Sequence, residues 1–259
     1  MTSKLIARSE DSVISYTVSP GTGSEVLFLN GAFSSSNSWR KVLRALPSDF
    51  HTVTFDARGR GRSPSHTDYS FAGALDDVGS VVSAAKLKHP ILAGWSHGAT
   101  LALRFAATHP GTIAGIVLID GAFPIRVFHE KAQQRIRRQY RLLKAPMAAL
   151  GALGIMSKLA HDQAAELVVE LDEIDAGLIP DYQVLDCPAL LIIGSGAHPG
   201  SPSKEMLLMR SAASIACEAN PLVRVHATVK SNHLRILSRD AEVVAEAIAS
   251  LVAGTSPFS

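Results

Sequence analysis

Short apolar runs recur along the chain, and each leads into a turn that is rich in glycine or polar residues. The runs occupy residues 25–31, 51–61, 90–96, 115–121, 188–196 and 222–229. Helix-favouring stretches lie between and after them, at 37–46, 71–86, 97–109, 203–219 and 239–253. Continuous apolar strands that alternate with helices are typical of a parallel sheet covered on both faces. With two further strands near 4–8 and 12–18, the pattern predicts an α/β fold with a mostly parallel central sheet of about eight strands, flanked by helices.

The alternation stops between residues 122 and 185, where no strand pattern occurs. Because a connection of about sixty residues is too long for a loop, we expect a helical lid, residues 122–185, inserted after the sixth strand. The core domain then comprises residues 1–121 and 186–259. Within the lid, residues 126–144 carry seven Lys or Arg and one acid, whereas residues 162–181 carry seven acids and no Lys or Arg. This segregation predicts helices with facing charges or solvated faces, and capture of an anionic group is the alternative. The apolar stretch between the two runs, residues 145–156, would either roof a hydrophobic pocket or pack on the core.

Composition and charge narrow the possible partners. The formal net charge of +2 gives no reason to expect nucleic acid binding. Cys187 and Cys217 belong to no CxxC pattern, so neither a zinc site nor a disulfide framework is predicted. The first residues contain no apolar signal-peptide core, and the longest mostly apolar stretch has 12 residues, which is shorter than the roughly 20 that span a bilayer. We therefore expect a cytoplasmic protein without membrane insertion.

Ser96 stands at the centre of the sequence GWSHG, which follows a predicted strand and precedes a predicted helix. A G-x-S-x-G pattern in this setting indicates a nucleophile elbow, where small neighbours leave room for a strained turn. A serine hydroxyl also needs a base to take its proton. Among ten histidines, we favour His233, which follows the last predicted strand within four residues, and His198 is the competing candidate. The N–H of His97, directly after the serine, is the first predicted oxyanion-hole donor.

Four segments resemble the α/β-hydrolase superfamily, in particular its lidded serine hydrolases of the esterase and lipase type. They read LFLNGAF, FDARGRGRS, AGWSHGATLALRFAATHP and KSNHLRILSRDAEVVAEAI, in the family's order and over nearly the whole chain. The resemblance implies that the second oxyanion-hole donor is the N–H of Ala32, with Phe33 as the alternative. Asn30 stands where the family usually has histidine. The arginines of DARGRGRS are expected to make structural contacts around a glycine-rich turn.

The position of the catalytic acid departs from the family pattern. The resemblance places an aspartate after the seventh strand, but this chain has Ala197 there and no acid in the surrounding loop. Asp120, at the end of the sixth predicted strand, is therefore the predicted triad acid, and the chain order Ser–Asp–His is kept. Asp186 lies at the opposite end of the seventh strand, and Glu205 lies within the helix that follows. A structural role for Asp120 combined with a Ser–His dyad is the alternative.

These residues predict a carboxylesterase-like serine hydrolase. It would cleave an ester, thioester or related acyl bond of a small apolar molecule through an acyl-enzyme, without cofactor or metal. Phe33 and Trp95 are expected to wall the substrate pocket, or else to pack in the core. A serine nucleophile in place of an aspartate argues against dehalogenase and epoxide hydrolase chemistry. Two alternatives stay open, namely C–C hydrolase, lyase or cyclase chemistry on the same scaffold, and a ligand-binding member without turnover.

Overall fold

A computed structural model describes residues 3–8, 11–145, 158–197 and 203–253. Its eight strands form one sheet in the order β1-β2-β4-β3-β5-β6-β7-β8. β2 runs antiparallel to β1 and β4, and all pairs from β4 through β8 are parallel. The mostly parallel sheet of eight strands is thus confirmed. The strands are β1 (Ser3–Arg8), β2 (Val13–Ser19), β3 (Glu25–Leu29), β4 (His51–Asp56), β5 (Ile91–Trp95), β6 (Gly115–Ile119), β7 (Ala189–Gly196) and β8 (Val223–Asn232).

Helices cover both faces of this sheet. A 3₁₀ turn at Ser36–Trp39 precedes the first helix, and the side chain of Ser70 caps the second by accepting the N–H of Gly73. The helices are α1 (Arg40–Ala45), α2 (Phe71–Ala84), α3 (His97–Thr108), α4 (Glu130–Leu142), α5 (His161–Asp175), α6 (Ile179–Val184), α7 (Ser203–Ala219), α8 (Ile236–Arg239) and α9 (Ala241–Ala253). None of the helices in the described part of the chain is both long and apolar enough to cross a bilayer.

The central strands are apolar on both sides because each face of the sheet has its own core layer. In β3, Leu27 and Leu29 belong to the layer beneath α2, α3 and α7, whereas Val26 and Phe28 belong to the layer beneath α1 and α9. All four side chains are fully buried. Successive residues of a strand point to opposite faces, so this double burial explains why the strand reads as a continuous apolar run.

The last strand is longer than its apolar pattern predicts. β8 continues through Lys230 and Ser231 to Asn232, with register shifts against β7. The polar extension lies beside Gly194 and Gly196 at the rim of the sheet. A strand can present polar side chains to solvent at the rim of the sheet. Hydropathy alone therefore predicts an end of β8 that is three residues too early.

The 122–185 segment between β6 and β7 contains α4, α5 and α6, and no strand among its described residues. Residues 146–157, which include nearly all of the apolar stretch, lie outside the described residues. The facing-charge prediction is confirmed at one pair, where Arg137 of α4 makes two hydrogen bonds with Glu166 of α5. Other acids of the 162–181 run have partners outside α4. Asp175 accepts a hydrogen bond from Thr100, and Asp181 pairs with Arg104 of α3.

Candidate active site

Ser96 lies on a sharp turn between β5 and α3. Its backbone angles, φ 56° and ψ −121°, are in a region that residues other than glycine rarely adopt. The neighbouring glycines are required by contact. A Cβ on Gly94 would lie 2.1 Å from the carbonyl oxygen of Gly98, and one on Gly98 would lie 2.1 Å from that of Leu29. The turn therefore presents the Ser96 hydroxyl at the carboxyl end of the sheet.

The three residues predicted as a triad are in direct contact. His233 follows immediately after β8, and its Nε2 lies 3.0 Å from Ser96 Oγ. On the other side of the ring, His233 Nδ1 lies 2.8 Å from Asp120 Oδ2. Asp120 is buried, whereas His233 is partly exposed. A continuous chain of hydrogen-bonding groups thus runs from a buried carboxylate to an accessible hydroxyl.

Asp120 is held by main-chain groups from the neighbouring strand. It has a left-handed backbone, φ 47°, and its N–H donates to the carbonyl of Ile192 in β7. Its second carboxylate oxygen, Oδ1, accepts the N–H of Gly194 at 2.9 Å. The end of β7, where the family resemblance places the acid, therefore supplies a backbone donor to an acid on β6. Ala197 offers only its carbonyl, which accepts the side-chain amide of Asn232.

The predicted oxyanion-hole residues flank the serine. A Cβ on Gly31 would lie 3.5 Å from Ser96 Cβ, which places the turn after β3 against the nucleophile, and Ala32 follows in that turn. His97 is the first residue of α3. Among the described residues, no oxygen accepts a hydrogen bond from the N–H of Ala32 or of His97. Both groups are thus available to a ligand oxygen near Ser96.

Comparison with known proteins agrees with this geometry. A model of the alpha/beta hydrolase family matches residues 26–247. The chain belongs to the alpha/beta hydrolase family. An esterase from Exiguobacterium antarcticum has a similar structure, with a TM-score of 0.76 over 98% of this chain and 100% of the esterase at 17% identity, a likeness that concerns the fold.

Curated relatives of this alpha/beta hydrolase carry different functional names. A serine hydrolase-like protein from Danio rerio is 28% identical over 62% of this chain and 55% of its own length. Epoxide hydrolase 3 from Mus musculus is 32% identical over 47% of this chain and 34% of its own length. The chain therefore spans about half or less of the curated relatives' length, and the family alone does not specify the bond that is broken.

Asn30, which stands at the family's usual histidine position, has a structural role in this alpha/beta hydrolase. Its side-chain amide donates to the carbonyl of Phe55 at 2.5 Å, and its side-chain oxygen accepts the indole N–H of Trp39 at 2.7 Å. The amide therefore ties the turn after β3 to β4 and to the 3₁₀ turn. Because Asn30 is buried and engaged on both sides, the substitution fixes the turn that carries Ala32.

His97 does not have the environment of a general base. Its side chain is buried, and burial together with the nearby charge of Arg60 lowers its pKa to about 3, so the ring is neutral at neutral pH. Its Nε2 has no hydrogen-bond partner among the described residues. The ring packs edge-on against Phe71, with centroids 5.7 Å apart. His198, the competing base, lies outside the described residues.

Trp95 and Phe33 lie on two sides of the site. The Trp95 ring lies 5.5 Å from the His233 ring, and its indole N–H donates to the carbonyl of His233 at 3.2 Å. Trp95 also packs against the core layer beneath α1 and α9. Phe33 packs with Tyr140 of α4, at 6.0 Å between centroids. Trp95 therefore supports the histidine loop, while Phe33 contacts the 122–185 segment.

The arginine-rich turn after β4 makes the structural contacts expected of it. Arg58 is buried and forms an ion pair with the buried carboxylate of Asp77. Arg62 pairs with Asp56.

Two contacts near the site were not predicted from the sequence. One is the N–H of Gly194 on Asp120, which has no side-chain signature, and the other is a hydrogen bond from Arg60 to the turn that carries Ala32.

The described residues show neither a metal cluster nor a disulfide. No group of three or more His, Cys, Asp or Glu within them is arranged to hold a metal ion. Both cysteines are free, and Cys187 is buried, which raises the pKa of its thiol to about 12. Burial also raises the pKa of the Cys217 thiol, so both thiols are protonated at neutral pH.

Proposed function

We propose that this alpha/beta hydrolase cleaves an ester, thioester or related acyl bond through a covalent acyl-enzyme on Ser96. The contact chain from Ser96 Oγ through His233 to Asp120, at 3.0 and 2.8 Å, carries the proposal. Because a carboxylate only accepts hydrogen bonds, Asp120 selects the tautomer of His233 that bears its proton on Nδ1. Nε2 then bears no proton and can accept the proton of the serine hydroxyl.

The reaction proceeds in two acyl transfers. His233 Nε2 takes the Ser96 proton as Oγ attacks the carbonyl carbon of the substrate, and the N–H groups of Ala32 and His97 bind the resulting oxyanion. The carbonyl then re-forms, the bond to the leaving oxygen or sulfur breaks, and His233 gives that atom its proton. Water, deprotonated by His233, attacks the acyl-enzyme in the same way. The second collapse releases the acid and restores Ser96.

Packing around the oxyanion-hole turn supports a lid role for the 122–185 segment. Ala32 and Phe33 pack against a buried cluster that includes Leu159 and Leu167, and Tyr140 of α4 joins them. The backbone N–H of Lys158 also donates to the carbonyl of Gly59, in the turn after β4. A cover of this kind excludes water from the reacting groups.

A mostly apolar cavity supports a small, mainly apolar substrate. The cavity has a volume of about 80 Å³ and lies between α5, α7 and the stretch that begins three residues after Asp120. Its apolar lining includes Phe123, Ile125, Leu171 and Met209, and Asp172 and Asp175 border it as well. A space of this size suits a short acyl or alkyl group better than a long chain.

A fluorophosphonate probe tests the proposal without knowledge of the substrate. Wild-type protein should be labelled promptly, and Ser96→Ala should abolish labelling. Ser195→Ala, which changes an exposed serine at the end of β7, serves as the matched control and should be labelled like wild type. The same three proteins are then assayed on short-chain p-nitrophenyl esters. Folded wild-type protein that is neither labelled nor active would contradict the proposal and favour ligand binding, whereas a reaction that survives Ser96→Ala would favour histidine-led lyase or cyclase chemistry.

A further inference from the structure

Arg60 is a buried cation that forms no ion pair with a described carboxylate, although the charge of Asp77 acts on it. Only 4% of the residue is exposed, and no ion pair links it to any described carboxylate. Its hydrogen bonds go to main-chain carbonyls, from Nε to Ala32 O at 2.8 Å and from Nη1 to Arg58 O at 2.6 Å. The guanidinium also lies 5.5 Å from the centre of the Tyr69 ring. Arg58, two residues earlier, is buried too but is neutralised by Asp77.

We propose that Arg60 is a positioning residue for the oxyanion hole. It fixes the turn that presents the Ala32 N–H, and it places a positive charge behind that N–H. The inference rests on the proposed function, because it assigns Arg60 a role in stabilising the oxyanion formed during attack by Ser96. It adds to that function a residue that never touches the substrate.

The positioning part follows from the hydrogen bond to Ala32. The N–H and the carbonyl of Ala32 belong to one residue, so a donor that holds the carbonyl restricts rotation about that residue's backbone bonds. An oxyanion donor loses much of its effect when it is misplaced by a fraction of an ångström. Asn30 anchors the same turn from its other side through Phe55 and Trp39. The turn is therefore fixed on both flanks of Ala32.

The electrostatic part follows from the surroundings of the guanidinium. A small cavity of about 10 Å³ is bordered by Arg60, Ala32 and His97, that is, by the guanidinium residue and the two residues whose N–H groups are the proposed oxyanion donors. A space of this size holds about one water molecule, so bulk solvent does not screen the charge. Burial lowers the pKa of Arg60 to about 10, so the guanidinium remains charged at neutral pH, and the neutral ring of His97 adds no competing charge. A fixed positive charge in a dry setting stabilises negative charge that develops nearby.

The cost of this arrangement also points to function. Burial of a cation without a counter-ion is unfavourable, and native proteins generally pair such groups. Departures from that rule concentrate at functional sites. Arg58 shows that the same turn can satisfy a buried guanidinium with a carboxylate. The turn therefore does not prevent a buried arginine from pairing with a carboxylate. The absence of an ion pair at Arg60 is instead a feature of its position beside Ala32.

The test separates the rate of serine attack from probe binding. The maximal rate kinact and the binding constant KI of a fluorophosphonate are measured for wild type, Arg60→Met, Arg60→Lys and Arg62→Met. In Arg60→Met, we expect kinact to fall by about 10- to 30-fold, less than the loss caused by removal of a direct donor, with KI unchanged. Affinity for phenylboronic acid, whose tetrahedral adduct mimics the oxyanion, should fall by a similar factor. Arg60→Lys retains the charge and should recover part of the loss.

Arg62→Met is the matched control, because Arg62 lies in the same turn but is partly exposed and pairs with Asp56. Its kinact should equal that of wild type. A folded Arg60→Met protein with wild-type kinact would overturn the proposal, even if its thermal stability fell. Should Arg60→Met fail to fold, Arg60→Gln, which also lacks the charge, is judged by the same criterion. Wild-type protein that is not labelled at all would instead refute the proposed function, so the two failures are distinguishable.

Discussion

Two parts of the molecule are held in place by different kinds of contact. One is the rim of the sheet, where the turns after β5 and β6 carry Ser96 and Asp120, and the other is the 122–185 segment. At the rim, Ser96 and Asp120 are fixed by left-handed backbone angles, by close contacts at glycines and by main-chain hydrogen bonds. In the segment, side-chain carboxylates make several of the contacts that hold the chain in place. The carboxylate of Asp172 accepts the N–H groups of both Val127 and Phe128.

Because of this difference, we expect substitutions in the two parts to affect different properties of the protein. Main-chain contacts do not titrate, and the close contacts at the rim leave little room for larger side chains. We therefore expect substitutions at the rim to change the rate of reaction. Carboxylate contacts titrate and can be replaced one at a time, so substitution in the segment should act on stability and on its pH dependence. We therefore expect substitutions in the 122–185 segment to leave the proposed chemistry in place.

The largest effect is expected at the rim, from Asp120→Asn. The amide cannot hold His233 in the productive tautomer, so the labelling rate should fall by about 10⁴-fold. Asp186→Asn is the matched control, because Asp186 accepts the N–H of Gly111 away from the serine, and its rate should remain that of wild type. A nearly normal rate in Asp120→Asn would mean that Ser96 and His233 suffice as a dyad.

A smaller loss is expected from Gly194→Ala. The new Cβ would lie 3.2 Å from Asp120 Oδ2 and 3.0 Å from the carbonyl oxygen of Ser231, so the carboxylate must shift slightly. We expect kinact to fall by about 10-fold, since small displacements of catalytic groups are costly. Gly177→Ala, where the nearest atom would be 3.5 Å away, should leave kinact unchanged. Equal rates in both variants would show that the Gly194 contact does not position Asp120.

In the 122–185 segment, Asp172→Ala should lower stability rather than rate. The substitution leaves the N–H groups of Val127 and Phe128 without their acceptor. We expect the free energy of unfolding to fall by about 1–3 kcal/mol, while kinact of the folded protein stays near that of wild type. Urea denaturation measures the first quantity, and Asp172→Asn, which keeps one acceptor oxygen, should lose less. A collapse of kinact without loss of stability would contradict the separation of the two parts.

The smallest effect on kinact is expected at Asp175, where the change is in the pH dependence of stability. Its surroundings remove water from the carboxyl and raise its pKa from 3.8 to about 8, although Thr100 donates a hydrogen bond to it. Between these values the folded state binds a proton that the unfolded chain has lost, so stability declines from about pH 4 to about pH 8 and then levels off. Asp175→Asn should remove that decline, so the two stability curves should coincide near pH 3.5 and the variant should be the more stable protein at pH 8, by up to about 5 kcal/mol. Parallel stability curves for the two proteins would contradict this assignment.

The central sheet was predictable because β3, β5 and β6 are buried on both faces and therefore read as apolar runs. The end of β8 was not, because Lys230 and Asn232 extend a strand beyond its apolar part. The proposed nucleophile, base and acid were predicted from strand ends, spacing and the family resemblance, and the structure brings the three side chains into contact. The contact from Gly194 was missed because a backbone N–H has no residue signature.

The runs of like charge predicted less of the structure than the apolar strand patterns did. The acidic run of residues 162–181 predicted facing helices, and Glu166 does face Arg137. The same run could not predict that Asp172 accepts N–H groups of its own segment or that Asp181 pairs with α3. Composition specifies how much charge a helix carries, whereas the direction of each side chain depends on packing that arises only in the folded chain.

The distance along the chain between Ser96 and His233 sets when the site can first exist. The two residues are 137 positions apart, and His233 is brought to the serine only after β8 has paired with β7. At typical synthesis rates of about 5–20 residues per second, the ribosome adds this interval in roughly 7 to 27 seconds. During that time the emerging chain carries a serine without its base. Unfinished chains therefore lack the contact between Ser96 and His233, which can form only as β8 joins the sheet.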